Sequence, residues 1–259
     1  MGPHLEDLSA KYLYAIVSRE EALPGQPAED RGSDGLNGRA VYSIAYGRIA
    51  AVVSDVPETK FRPERRHLAA HHYVLKSLMD EGRAVLPVSF GVVAEDSRAL
   101  RKVLSLNEGA FHDQLEQLKG KVEMGLRVVW DVPNVFQYIV DIHPELRALR
   151  DGLFRGGREP TQDERITLGR RFEQLLEEDR AAHTKSVREV LEKVCFEIRK
   201  NEPRDETEVT NLACLLGRDG QDAFEEAVLK AAKLFDDNYA FDYNGPWPPY
   251  NFVDVELQL

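Results

Sequence analysis

The sequence predicts an α+β protein of two domains, each a mostly antiparallel sheet covered by helices, with a ferredoxin-like second domain and an extended C-terminal tail. Short runs of aromatic and β-branched residues alternate with longer segments whose apolar residues recur at three-and-four spacing. At 259 residues the chain exceeds a typical single domain and favours two. A strand, hairpin, helix, strand, helix order fills the first half, and a β, long α, β, α, β order fills the second. These place the domains at residues 1–121 and 122–242, and a proline- and aromatic-rich tail at 243–259.

AKYLYAIVS (Ala10 to Ser18) alternates as a half-buried strand does. The stretch from Arg19 to Gly38, rich in Gly, Pro, Asp and Asn, reads as a mobile loop. Val41 to Tyr46 and Ile49 to Ser54 flank Gly47, which suits the positive φ of a tight hairpin. After Pro63, the residues Leu68, His71, His72, Leu75 and Leu78 predict a helix up to Gly82 that packs on the hairpin. Ala84 to Val93 reads as one more strand. Asp96 or Ser97 then caps a helix through Leu100, Val103 and Leu104, with a second helical stretch from Glu108 to Lys119.

In the second half, Val122 to Val132 is a strand and Pro133 opens a short helix that breaks near His143-Pro144. A Gly-rich, charged link spans Arg150 to Pro160. Apolar residues from Leu168 through Phe172, Leu175, Val187, Val194 and Ile198 then predict one helix from Asp163 to Arg199, roughly 54 Å long at 1.5 Å per residue. Such a helix must protrude, bend or pack across both domains. Glu208 to Arg218 is a strand, Asp219 to Asp236 a helix and Tyr239 to Tyr243 a strand.

Composition narrows the function classes. Lys and Arg number 34 against 45 Asp and Glu, a net charge of -11. That field repels phosphate backbones and anionic membranes, so neither nucleic acid nor membrane lipid is an expected partner. Apolar runs are strand-length, below the ~18 residues that suggest a bilayer span, and MGPHLEDL lacks the pattern of a signal peptide. The two cysteines, Cys195 in a helical pattern and Cys214 in a strand pattern, have no C-x-x-C partner, which favours buried free thiols in a reducing cytoplasm.

Candidate chemistry is sparse. Glu64, His67 and His71 share one helix face in ERRHLAAHHYVL, a spacing that can hold a metal, but Leu68 stands where a zincin has its Glu. The plainer reading is a solvated face, with His71 or His72 meeting the core. His183 lies on the apolar stripe of the long helix and reads as a hydrogen-bonded core or interface histidine, or as an acid–base group. Glu177, Glu178 and Asp179 form a solvated charge run. P-loop, dinucleotide and nucleophile-elbow patterns are missing, so no catalytic residue, metal or cofactor is assigned. The alternative function is a metal- or small-ligand-binding module built on the His67/His71 helix.

The tail YNGPWPPYNFVDVEL needs a separate account. Pro246, Pro248 and Pro249 cannot donate to a ladder and hold the chain extended between the Tyr239 strand and a final strand from Asn251 to Glu256. Trp247, Tyr250 and Phe252 carry large apolar areas that must pack on something. The tail is a structural clasp, a partner-binding surface through Trp247, Pro248, Tyr250 and Phe252, or a small-molecule pocket.

GPWPPYNFV, from Gly245 to Val253, resembles the terminal signature of the gas vesicle protein F/L family. YLYAIV (Tyr12 to Val17), YGRIAAVVSDVP (Tyr46 to Pro57), VLPVSFGVV (Val85 to Val93) and LACLLGR (Leu212 to Arg218) agree in order along nearly the whole chain. Ser89 and Val92 depart from that family's pattern, which often has Arg and Thr there, so a contact made by the Arg is lost or relocated. The resemblance implies two α+β domains, no enzymatic reaction and no cofactor. It implies an accessory or minor structural protein that helps build gas vesicles, gas-filled protein shells, located at the vesicle and cytoplasmic during assembly. Its implied partners are the hydrophobic shell protein and other vesicle accessory proteins, with the acidic chain keeping the shell protein dispersed or nucleating it.

Overall fold

A computed structural model describes residues 9–25, 35–57, 60–155, 159–255 and 258. The MGPHLEDL start, the middle of the loop predicted from Arg19 to Gly38, part of the Gly-rich link and the end of the predicted last strand lie outside the described residues. The chain divides into two compact units, Met1–Glu123 with Pro246–Leu259, and Met124–Gly245.

In the first unit β1 (Ala10–Ser18) is central, with β3 (Ile49–Val56) on one side and the short β4 (Leu86–Pro87) and β5 (Val93–Ala94) on the other. β2 (Tyr42–Tyr46) pairs the far edge of β3, and every one of these pairings is antiparallel. The hairpin forms as its sequence demands, with Gly47 at φ 53° between Tyr46 and Ile49. Tyr14 is fully buried, and its hydroxyl donates to Ser54 Oγ at 3.0 Å and accepts from Leu36 N–H at 2.8 Å, which satisfies a polar group in the core.

Several sequence expectations change here. The strand expected over Ala84 to Val93 splits into β4 and β5, because Pro87 has no N–H for the ladder and the Gly91 N–H goes to the Tyr12 hydroxyl instead. Helix α1 (Arg65–Asp80) packs on β1 and on the turn at Leu36–Gly38. It is α2 (Ser97–Leu118) that crosses the β2–β3 hairpin. α2 is one helix rather than two: the Asp96 carboxylate caps it by accepting Ala99 N–H at 2.7 Å, and Asn107 bonds back to Val103 O.

The second unit contains a sheet in the order β7-β8-β6-β9, made of β6 (Lys121–Trp130), β7 (Glu197–Asn201), β8 (Glu208–Gly217) and β9 (Tyr239–Trp247). Between β6 and β7 come α3 (Val135–Ile142), α4 (Pro144–Leu153) and α5 (Gln162–Leu191), and α6 (Gln221–Ala232) lies between β8 and β9. α4 was hidden in the sequence because Pro144 reads as a breaker, yet it occupies the first helical turn, where proline is tolerated. α5 starts in a capping box between Thr161 and Glu164 and ends at Leu191, about 45 Å along. Ile198 therefore leaves the predicted helix and lies in β7 opposite Cys214. At four residues past Val194 it satisfied a helical period, and a five-residue strand is too short to betray its own.

The start of β8 is held by buried charge. Glu208 has no side-chain exposure, and its carboxylate accepts from Arg127 Nε at 2.8 Å and Arg204 N–H at 2.7 Å. Arg180 of α5 donates to the Glu208 carbonyl at 2.9 Å and the Asp205 carbonyl at 3.1 Å, with its guanidinium 5.7 Å from the Trp130 ring.

Candidate functional site

The tail and the histidine helix meet within the first unit, which no spacing in the sequence foretold. β9 carries the chain through Pro246 to Trp247; Pro246 fits because β9 is an edge strand. Pro248 and Pro249 are buried, and a 3-10 turn at Tyr250–Phe252 follows in place of the strand expected from Asn251. That turn closes through Phe252 N–H to Pro249 O at 3.1 Å. Asn251 clamps the buried Glu123 carboxylate, donating its backbone N–H at 2.9 Å and its side-chain Nδ2 at 2.7 Å.

His71 receives the tail. It is 1% exposed, and its Nε2 lies 3.2 Å from the Tyr250 hydroxyl while its Nδ1 lies 2.9 Å from the Tyr12 hydroxyl. Tyr12 also accepts Gly91 N–H at 3.1 Å, so its hydroxyl ties the Gly91 turn to the His71 ring, whose two nitrogens each face a tyrosine hydroxyl. Phe61, Phe90 and Tyr14 pack edge-on around Tyr12. Desolvation, with His72 adding repulsion, brings the His71 pKa down to about 4, so the ring is neutral near pH 7. Burial pushes Tyr12 up to about 12 and moves Tyr250 upward too, with the Tyr12 and Glu123 charges adding to the latter.

The four tail residues singled out in the sequence therefore separate. Trp247 is 43% exposed, Tyr250 is partly covered, and Pro248 and Phe252 are buried, Phe252 to 2%. Glu64, His67 and His71 do not converge: Glu64 pairs with Arg66 on the surface, and the two ring nitrogens of His67 face Arg62 O and Asn37 Oδ1, each at 3.1 Å. Among the described residues no group of three His, Cys, Asp or Glu side chains is placed to hold a metal ion.

In the second unit His183 is a hydrogen-bonded, half-buried histidine. Its Nε2 lies 2.9 Å from the Tyr239 hydroxyl and its ring packs on Phe235, while burial lowers its pKa. The charge run resolves into separate partners, Glu177 to Arg180, Glu178 to Gln174 and Asp179 to His143. Neither cysteine is in a disulfide; Cys214 is buried and Cys195, in the turn after α5, is partly so.

The family model described as "Gas vesicle synthesis protein GvpL/GvpF" matches residues 10–254. Gas vesicle protein F of Streptomyces sp. (strain CB03234) is 32% identical over 244 residues, covering 94% of this chain and 99% of that protein. Gas vesicle protein F of Dolichospermum flosaquae is 27% identical, covering 95% and 98%. The crystal structure of GvpF from Anabaena sp. PCC7120 superposes with a TM-score of 0.79 at 25% identity, covering 96% of this chain and 99% of that one.

Proposed function

Because the chain belongs to the GvpL/GvpF family of gas vesicle synthesis proteins, and so has its role in gas vesicle formation, we propose that it is a non-enzymatic accessory or minor structural protein that binds the hydrophobic shell protein or other vesicle accessory proteins and assists nucleation and assembly. It associates with the gas vesicle; the cytoplasm during assembly is the compartment this reading adds. Among the described residues no helix is long and apolar enough to cross a membrane.

The observation that carries the reading is the tail. An exposed indole, Trp247, sits directly before two buried prolines and an anchored turn, so a large apolar group is presented from a backbone that is already ordered. Little ordering entropy remains to be lost when such a group docks. Tyr250 and Phe252 serve the anchor, and Trp247 serves the contact.

The test is a pull-down of the purified chain against the main gas vesicle shell protein, with Trp247→Ala and Phe252→Ala alongside. Saturable binding that Trp247→Ala weakens without lowering the melting temperature supports the reading. Binding unchanged by Trp247→Ala in a folded chain removes Trp247 as the contact. No binding to the shell protein moves the proposal to accessory proteins alone.

A further inference from the structure

Cys195 and Cys214 meet within the second unit. The chain leaves α5 through a bonded turn, in which Cys195 N–H donates to Leu191 O at 3.0 Å and Phe196 N–H donates to Leu215 O at 2.8 Å. The main chain at Cys195 is thus fixed on both sides, and the second bond fixes it to the residue beside Cys214. Ile198, the first apolar residue of β7, stands directly opposite Cys214 in the β7–β8 register. A hydrogen bond joins the two thiols, and it draws the Cys195 pKa below that of an ordinary thiol while burial pushes the other way.

The two thiols differ in access. Cys214 lies within β8 and is 0% exposed, whereas Cys195 is partly exposed in its turn, next to Phe196 at 67%. A buried cysteine by itself behaves as a small apolar side chain. A partly exposed thiol with raised thiolate character is instead the kind that oxidants reach, and a second thiol in contact with it is what resolves the product. Because Cys195 lies in a turn outside the ladder, its side chain can close on Cys214 without breaking a β7–β8 pair.

We propose that Cys195 and Cys214 form an oxidisable dithiol site whose substrate is a hydroperoxide, with Cys195 as the attacking thiol and Cys214 as the resolving one. The Cys195 thiolate attacks a peroxide oxygen and the O–O bond breaks. Cys195 becomes a sulfenic acid, and the departing oxygen takes up the thiol's proton and leaves as water or an alcohol. The Cys214 sulfur then displaces the sulfenic hydroxyl: the S–S bond forms, the S–O bond breaks, and the hydroxyl leaves as water with the Cys214 proton. The two thiols together lose two electrons and two protons, and the peroxide takes up both. A dithiol reductant restores the pair by thiol–disulfide exchange. While closed, the bond fastens the α5–β7 turn to β8 and restrains the unfolded chain, which stabilises the second unit. The inference stands apart from the function proposed above, which uses neither cysteine.

The test treats the full-length chain with an equimolar amount of hydrogen peroxide and maps its thiols by mass spectrometry. The expected result is loss of both thiols together, in a monomer lighter by two hydrogens, with a cross-link between the tryptic peptides VCFEIR and DETEVTNLACLLGR that dithiothreitol reverses. In Cys214→Ser the reaction stops at the sulfenic acid, which dimedone captures at Cys195. In Cys195→Ser the remaining buried thiol reacts at least roughly tenfold more slowly than the wild-type pair. The oxidised wild type melts at a higher temperature than the reduced one. Thiols that survive the peroxide, a cross-link found only between two copies of the chain, or a Cys214 that oxidises as fast without Cys195 overturns the inference. So does an oxidised chain that melts below the reduced one, because strain of that kind means the sulfurs are not placed to bond. Should either serine variant fail to fold, the wild-type cross-link map decides alone.

Discussion

Burial keeps the His71 imidazole neutral, and that fixes the direction of its pH dependence. Its folded pKa of about 4 lies below the ordinary 6.5, so between those values the unfolded chain binds the extra proton. Stability is complete above about pH 6.5, falls as pH drops toward 4, and changes no further from this group below that. At about 1.4 kcal/mol per unit the limit is roughly 3 kcal/mol. Urea unfolding at pH 7 and pH 5 should show the loss, and His71→Phe should flatten it while leaving the smaller share of His183, whose pKa moves the same way. A slope unchanged in His71→Phe would refute the burial argument. Phe252 and Trp247 make the matching contrast: Phe252→Ala should cost ~3–5 kcal/mol as a core deletion, and Trp247→Ala, at a site 43% exposed, far less. Which aromatic is anchor and which is surface could not be read from GPWPPYNFV, because aromatic residues at spacings of three and two carry no record of what they face.

Elements tell a similar story with different limits. The β2–β3 hairpin was fully legible, since Gly47 satisfies a backbone need at φ 53°. A Cβ there would also run into the Glu108 carboxylate, one oxygen of which accepts from both the Arg48 N–H and Nε. Gly47→Ala should therefore destabilise the chain by ~1–2 kcal/mol through the left-handed backbone alone, more if Glu108 cannot move aside; thermal melting checks it. The α2 cap is equally local, and Asp96→Ala should cost about 1 kcal/mol by freeing Ala99 N–H. β7 was hidden within a helical period, and β4 and β5 within one longer predicted strand, because two to five residues cannot display a period of their own and only pairing to β8 and β1 sets their bounds.

For the whole molecule, the first unit is assembled from both ends of the chain. Ending the chain at Gly245 would remove the Tyr250 partner of His71, the Asn251 clamp on Glu123 and the buried Phe252 together. The expected outcome is lower protection of α1 and β1 amides in hydrogen exchange, with β8 amides of the second unit keeping theirs. Equal loss in both units, or none in α1, would contradict this account of the tail as part of the first unit.

The sequence by itself determined the α+β class, the hairpin, the central strands β1, β6 and β8, the Asp96 cap of α2 and, through motifs spread along the chain, the family. Each of these depends on a local period, a backbone requirement or a residue string, and such signals survive without coordinates. Only the tertiary structure decided that His71 receives Tyr250, that Asn107 and Gln114 hold the tail's main chain, and that Trp247 is presented while Phe252 is enclosed. Those facts join residues more than a hundred positions apart in the chain, and no sequence period or spacing reports which distant surfaces burial will bring together.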